Sequence, residues 1–119
     1  MAIFIARVKF TAEAFKGLIN DPTDREKIAK EFAESIGSTM LAWYFDFSAG
    51  EAVSLWDATP EQMDIAKMRA IASGAFVDIY QSQLYTSSEL LELSKKTAAI
   101  EPWKGAPTHD EIDRMLLDE

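Results

Sequence analysis

The sequence predicts an α+β domain: a ferredoxin-like β-α-β-β-α-β arrangement of four antiparallel strands and two crossover helices, followed by extra C-terminal helices. Three observations predict it. Residues 2 to 10 alternate with the period of two that only a strand explains. Two aromatic-rich runs flank Ala49-Gly50 as the arms of a β-hairpin. Segments of helical period lie between the first and second strands and between the third and fourth.

Taken in order, the first strand carries Phe4, Ala6, Val8 and Phe10 on one face and Ile3, Ile5, Arg7 and Lys9 on the other. A helical turn around Phe15, Leu18 and Ile19 breaks at Asn20-Asp21-Pro22. The apolar residues Ile28, Ala29, Phe32, Ala33 and Ile36 then mark an amphipathic helix, which Gly37 closes. Residues 38 to 48 and the run E-A-V-S-L-W-D-A form the hairpin. Thr59-Pro60-Glu61-Gln62 is a capping box with proline at the first helical position, and it opens a helix that ends at Gly74. Residues 75 to 85 form the fourth strand, and Thr86-Ser87-Ser88-Glu89 caps a helix bearing Leu90, Leu91 and Leu93. Residues 1 to 97 are thus one domain. Residues 98 to 119 are an extension in which Thr108 caps a short helix with Ile112, Met115 and Leu116.

Composition narrows the function classes. The 119 residues are 48% hydrophobic and 11% aromatic, enough for one core. A formal charge of -8, with bases scattered rather than striped, removes the driving force for nucleic-acid binding. No cysteine means no disulfide, thiolate nucleophile or thiolate metal site. The apolar start is interrupted by Arg7 and Lys9 and is too short for a signal peptide or a membrane span, so the expectation is a soluble cytoplasmic protein with no membrane partner. No glycine-rich phosphate loop follows any strand, and His109 is the only histidine, so neither a cofactor nor a metal is expected.

Short right-handed connections favour the strand order 4-1-3-2 with both crossover helices on one face. The opposite face would then expose Ile3, Ile5, Tyr44, Trp56 and Tyr80, an apolar surface that a second copy would cover. A homodimer through the sheet face is therefore expected.

Three stretches carry a resemblance: V-K-F-T-A-E-A-F-K-G-L, E-S-I-G-S-T-M-L-A-W-Y-F-D-F, and the passage from A-S-G-A-F-V to L-Y-T-S-S-E-L. Together they resemble the GYD-domain family over roughly residues 3 to 96. The resemblance implies a dimeric α+β barrel and no particular activity. Where that family carries Gly-Tyr-Asp, this chain has Gly50-Glu51-Ala52 and keeps only the glycine.

Strand alternation, taken without bulges, assigns Arg7, Tyr44, Asp46, Ser54, Trp56, Asp78, Tyr80 and Ser82 to the face away from the helices. Asp46, Asp78, Tyr80 and Arg7 are the candidates for acid/base work: a carboxylate half-buried among aromatics rises in pKa, and tyrosine or arginine polarises a carbonyl. Tyr44, Ser54 and Trp56 would form a substrate wall. The plainer alternative makes Arg7 and Asp78 a cross-strand ion pair and the aromatics interface core. Trp43 reads as core, Trp103 as an anchor on a partner subunit or a cover for the cleft, and His109 as a surface residue. The functional expectation is a small-molecule-binding dimer, either a cofactor-independent acid/base enzyme of isomerase, cyclase or oxygenase type acting on a small apolar or aromatic substrate, or a non-catalytic metabolite-binding or structural protein.

Overall fold

A computed structural model of the chain describes residues 2–103. The elements run β1 (Ala2–Phe10), α1 (Ala12–Asn20), α2 (Arg25–Ser35), β2 (Thr39–Asp46), β3 (Glu51–Ala58), α3 (Pro60–Ser73), β4 (Phe76–Leu84) and α4 (Ser87–Ala98). The chain divides into two compact units, Met1–Tyr85 and Thr86–Glu119. His109 and the expected last helix with Ile112, Met115 and Leu116 lie outside the described residues. Among those described, no helix is long and apolar enough to cross a membrane.

The first unit is an α+β domain around an open four-stranded antiparallel sheet in the order β2-β3-β1-β4. Strand β1 is paired on both sides, so its alternation sets the facing of its neighbours. Phe4 lies opposite Trp56 and Ala6 opposite Ser54, while Arg7 lies opposite both Val53 and Tyr80. One face is therefore sealed by helices and the other is open. The sealed face holds the core: Phe4, Ala6, Met40 and Trp56 from the sheet meet Ala33 of α2 and Met63 and Ala66 of α3. The near-zero exposure of alanines at these contacts shows how closely the helix backbones approach the sheet.

Local chemistry explains where the helices start. The Thr11 hydroxyl accepts from the Ala14 amide at 3.2 Å and also donates to the Ala75 carbonyl at 3.2 Å, which ties the start of α1 to the start of β4. Asp24 caps α2 through the Lys27 amide at 3.3 Å. Both expected capping boxes are present. The Thr59 amide donates to Gln62 Oε1 at 2.9 Å while the Gln62 amide donates to the Thr59 hydroxyl at 3.2 Å. In the second unit, the Thr86 amide donates to Glu89 Oε1 at 2.9 Å, and Thr86 thereby holds the Glu89 carboxyl below the usual carboxylate range.

Two bulges bend the edge strands. In β2, Met40 pairs with Trp56 and Ala42 with Leu55, leaving Leu41 as the extra residue. In β4, Val77 pairs with Lys9 and Tyr80 with Arg7, so Asp78 and Ile79 together oppose Val8. Asp78 takes the left-handed conformation, φ 50, that this kind of bulge requires and that aspartate tolerates better than most residues.

The turn after α2 offers a direct test of this architecture. Gly37 has φ +84, and a Cβ there would meet Gln62 Nε2 at 3.1 Å, the side chain that completes the α3 capping box. Gly37→Ala should cost about 1–2 kcal/mol for the left-handed backbone. It should cost more than Gly74→Ala, where φ is +70 but nothing lies within 4 Å of the added Cβ. Urea denaturation of both variants checks the ranking; equal losses would show that Gln62 yields without cost.

Candidate functional site

On the sealed face the elements do not close completely. The helix stripe Ile28, Ala29 and Phe32 of α2 and the small residues Ala66 and Ala70 of α3 leave a cavity of about 210 Å³ above the sheet. Its floor is aromatic and sulfur-bearing, with Phe10, Met40, Trp43, Trp56 and Phe76. Small residues on the helix side and large ones on the sheet side leave open space because neither layer fills the gap.

Polar groups at the cavity are few and placed by identifiable bonds. The Trp56 indole Nε1 donates to Ser54 Oγ at 2.8 Å, which satisfies the one polar atom of a buried tryptophan from two residues away on the same strand face. Gln81 of β4 donates from Nε2 to the Met63 carbonyl at 3.0 Å and so joins β4 to α3. Arg25, the first residue of α2, is half-buried and lines the cavity together with the two concavities beside it. None of the residues lining the cavity is a carboxylate or a histidine.

Phe10 is the hub of an aromatic cluster at one end of the cavity. Its ring centroid lies 5.1 Å from Phe45 and 5.4 Å from both Phe15 and Phe76. The Phe10–Phe45 contact is edge-to-face, an arrangement that the ring quadrupoles favour. The cluster links β1, β2, β4 and α1 and fixes the rings of Phe10 and Phe76 where they bound the cavity.

The candidates read from the sequence divide between the two faces. Arg7, Tyr44, Tyr80 and Ser82 do share the open face, since Arg7 pairs with Tyr80 and Val53, Val53 with Tyr44, and Ile5 with Ser82. Asp46 is on that face too, opposite Glu51, where its carboxylate accepts the Ala49 amide at 3.3 Å and shapes the hairpin turn. Ser54 and Trp56 are corrected to the sealed face: the residues of β3 that turn inward are Ala52, Ser54, Trp56 and Ala58, all buried. Asp78 belongs to the bulge, and no ion pair within 4.0 Å joins it to Arg7. Trp43 faces the core as expected. Trp103 lies in the second unit and is exposed.

Sequence reading missed Arg25, Gln81 and the cavity itself. Arg25 was legible, because the stripe of Ile28, Ala29 and Phe32 extended back one turn lands on it. Gln81 was legible too: it lies after the bulge at Asp78, and the alternation that puts Tyr80 and Ser82 on the open face turns it toward the helices.

The open face carries a grid. Its rows, read from β2 to β4, are Asp46, Glu51, Lys9 and Val77, then Tyr44, Val53, Arg7 and Tyr80, then Ala42, Leu55, Ile5 and Ser82, then Thr39, Asp57, Ile3 and Leu84. The middle is largely apolar around Arg7, and charge gathers at the end with Asp46, Glu51 and Lys9, while Asp57 is the one charged residue of the opposite row. Asp57 Oδ1 is buried and has no hydrogen-bond partner among the described residues. In comparison with known proteins, no family model, curated protein or solved structure matches the chain.

The Trp56–Ser54 bond yields a prediction. Ser54→Ala leaves the indole N–H unpaired in a buried position and should lose about 1–3 kcal/mol. Adding Trp56→Phe to Ser54→Ala should cost less than Trp56→Phe alone, since the bond is already gone. A double-mutant cycle by urea denaturation checks this, and strict additivity would show that the bond contributes nothing.

Proposed function

We propose that this chain is a small-molecule-binding protein whose ligand occupies the cavity between α2, α3 and the sheet. The carrying observation is the cavity of about 210 Å³, bounded by Trp43, Trp56 and Phe10 with a few fixed polar groups. Sites for small ligands are concave, mainly apolar and furnished with a few convergent polar groups. An apolar cavity of about 150 Å³ already accepts benzene, so this one suits a ligand of one ring or a short branched chain. Binding is favoured over acid/base catalysis because the carboxylates proposed for that chemistry, Asp46 and Asp78, do not line the cavity, and no other carboxylate replaces them there.

The test uses the full chain carrying Trp103→Phe, so that Trp43 and Trp56 alone report. One-ring aromatic probes should shift their emission on binding. Ala70→Leu, which projects a larger side chain from α3 into the cavity, should abolish that response while keeping or raising the melting temperature. Probe binding that survives Ala70→Leu would place the ligand elsewhere and overturn the reading.

In the same reading the protein is a homodimer of the dimeric α+β barrel kind, its ferredoxin-like sheets packed through their open faces. Support comes from the apolar middle of the grid, from Tyr44 and Tyr80 standing 69% and 53% exposed on it, and from the unpartnered Asp57. The GYD-domain resemblance points to the same assembly. Light scattering should give twice 13.3 kDa for the native chain and a monomer for Leu55→Asp; a native monomer at micromolar concentration would refute the dimer.

A further inference from the structure

We infer that the ligand of the cavity is a monoanionic carboxylate: a single aromatic ring or short branched acyl chain whose carboxylate end meets Arg25. This rests on the reading of the cavity as the ligand site and names what that site recognises.

Arg25 occupies the head of the α2 stripe, three, four and seven residues before Ile28, Ala29 and Phe32. That is a sheet-facing position, where packing alone would call for an apolar side chain. Arg25 is instead a half-buried residue whose side chain lines the cavity and its two neighbouring concavities. Withdrawing a cation from water is unfavourable unless an anion meets it. No carboxylate lies within 4.0 Å of Arg25 among the described residues. Of the two acids adjacent in sequence, Asp24 is engaged as the helix cap, accepting the Lys27 amide at 3.3 Å, and Glu26 pairs with Lys30 at 2.9 Å. Among the same residues, the side-chain hydrogen bond that Arg25 makes goes from Nη1 to the Thr23 hydroxyl at 3.2 Å. A guanidinium carries five N–H donors in a planar fork, so most of its capacity is unused.

A fork of that geometry matches a carboxylate through two parallel hydrogen bonds. A phosphate dianion fits less well, because no second cation lines the cavity and the chain's formal charge of -8 opposes a doubly charged guest. The body of the ligand follows from the walls. Beyond the guanidinium the lining is mostly apolar, with Trp43, Trp56, Phe10, Phe32 and Ile79, and its other polar side chains, Ser54 and Gln81, already bond within the protein, so the walls reward flat or branched apolar surface and nothing charged.

The experiment titrates the full-length Trp103→Phe protein, and its Arg25→Gln and Arg25→Lys variants, with benzoate, benzamide and phenyl phosphate. Tryptophan emission is the readout, and an unchanged melting temperature shows that the variants are folded. Benzoate is expected to bind roughly ten- to a hundred-fold more tightly than benzamide. Arg25→Gln should erase that difference while leaving benzamide affinity unchanged, and Arg25→Lys should retain part of it. Equal affinity for benzoate and benzamide in the parent protein, or a preference that persists in Arg25→Gln, overturns the carboxylate while the cavity reading stands. Phenyl phosphate binding more tightly than benzoate overturns the monoanion. If no probe binds and Ala70→Leu changes nothing, the cavity reading falls and this inference falls with it.

Discussion

Strand β3 must present one row of side chains to the helices and the other to the open face, and the bond from Trp56 Nε1 to Ser54 Oγ decides which row goes where. A tryptophan can be buried under helices only if its N–H finds an acceptor, and Ser54 provides one from the same row. Once that pair turns inward, Val53 and Leu55 must turn outward. Through its pairing with β1 the same choice puts Phe4 and Ala6 under α2 and α3. The cavity and the apolar middle of the open face are two results of this one commitment.

The α+β class, the four antiparallel strands and both capping boxes were legible in the sequence, because each rests on local chemistry, whereas the helical turn expected around Phe15 is a full helix of 9 residues. Alternation in residues 2 to 10, proline after Thr59 and glycine at 74 act within a few residues of themselves. The facing of β3 was not legible, since both of its rows mix apolar and polar residues: Ala52, Ser54, Trp56 and Ala58 against Glu51, Val53, Leu55 and Asp57. Serine beside tryptophan looks like the wetter row until the hydrogen bond between them is seen. Bulges are illegible for a different reason. Neither Leu41 nor Asp78 is a glycine, and an extra residue in a strand announces itself only through its partner's register.

The candidate site moved for the same reasons. Charged and aromatic residues drew attention to the face where Arg7, Tyr44, Asp46 and Tyr80 do converge, but a site also needs volume, and volume arises from small residues opposite large ones. Ala66 and Ala70 on α3 carry no chemical signal in the sequence, yet together with Trp43 and Trp56 they bound the space into which a ligand would fit. Arg25 gives that space a polar end.

Both edges of the sheet are interrupted. Strands β2 and β4 are the ones with unpaired outer backbone groups, and each carries a bulge, at Leu41 and at Asp78. A bulged strand twists away from flatness, so a further strand cannot be added in register along its length. The interruption therefore guards the sheet against ribbon-like growth from its edges, and it directs any association through the sheet to the broad surface instead of the rim.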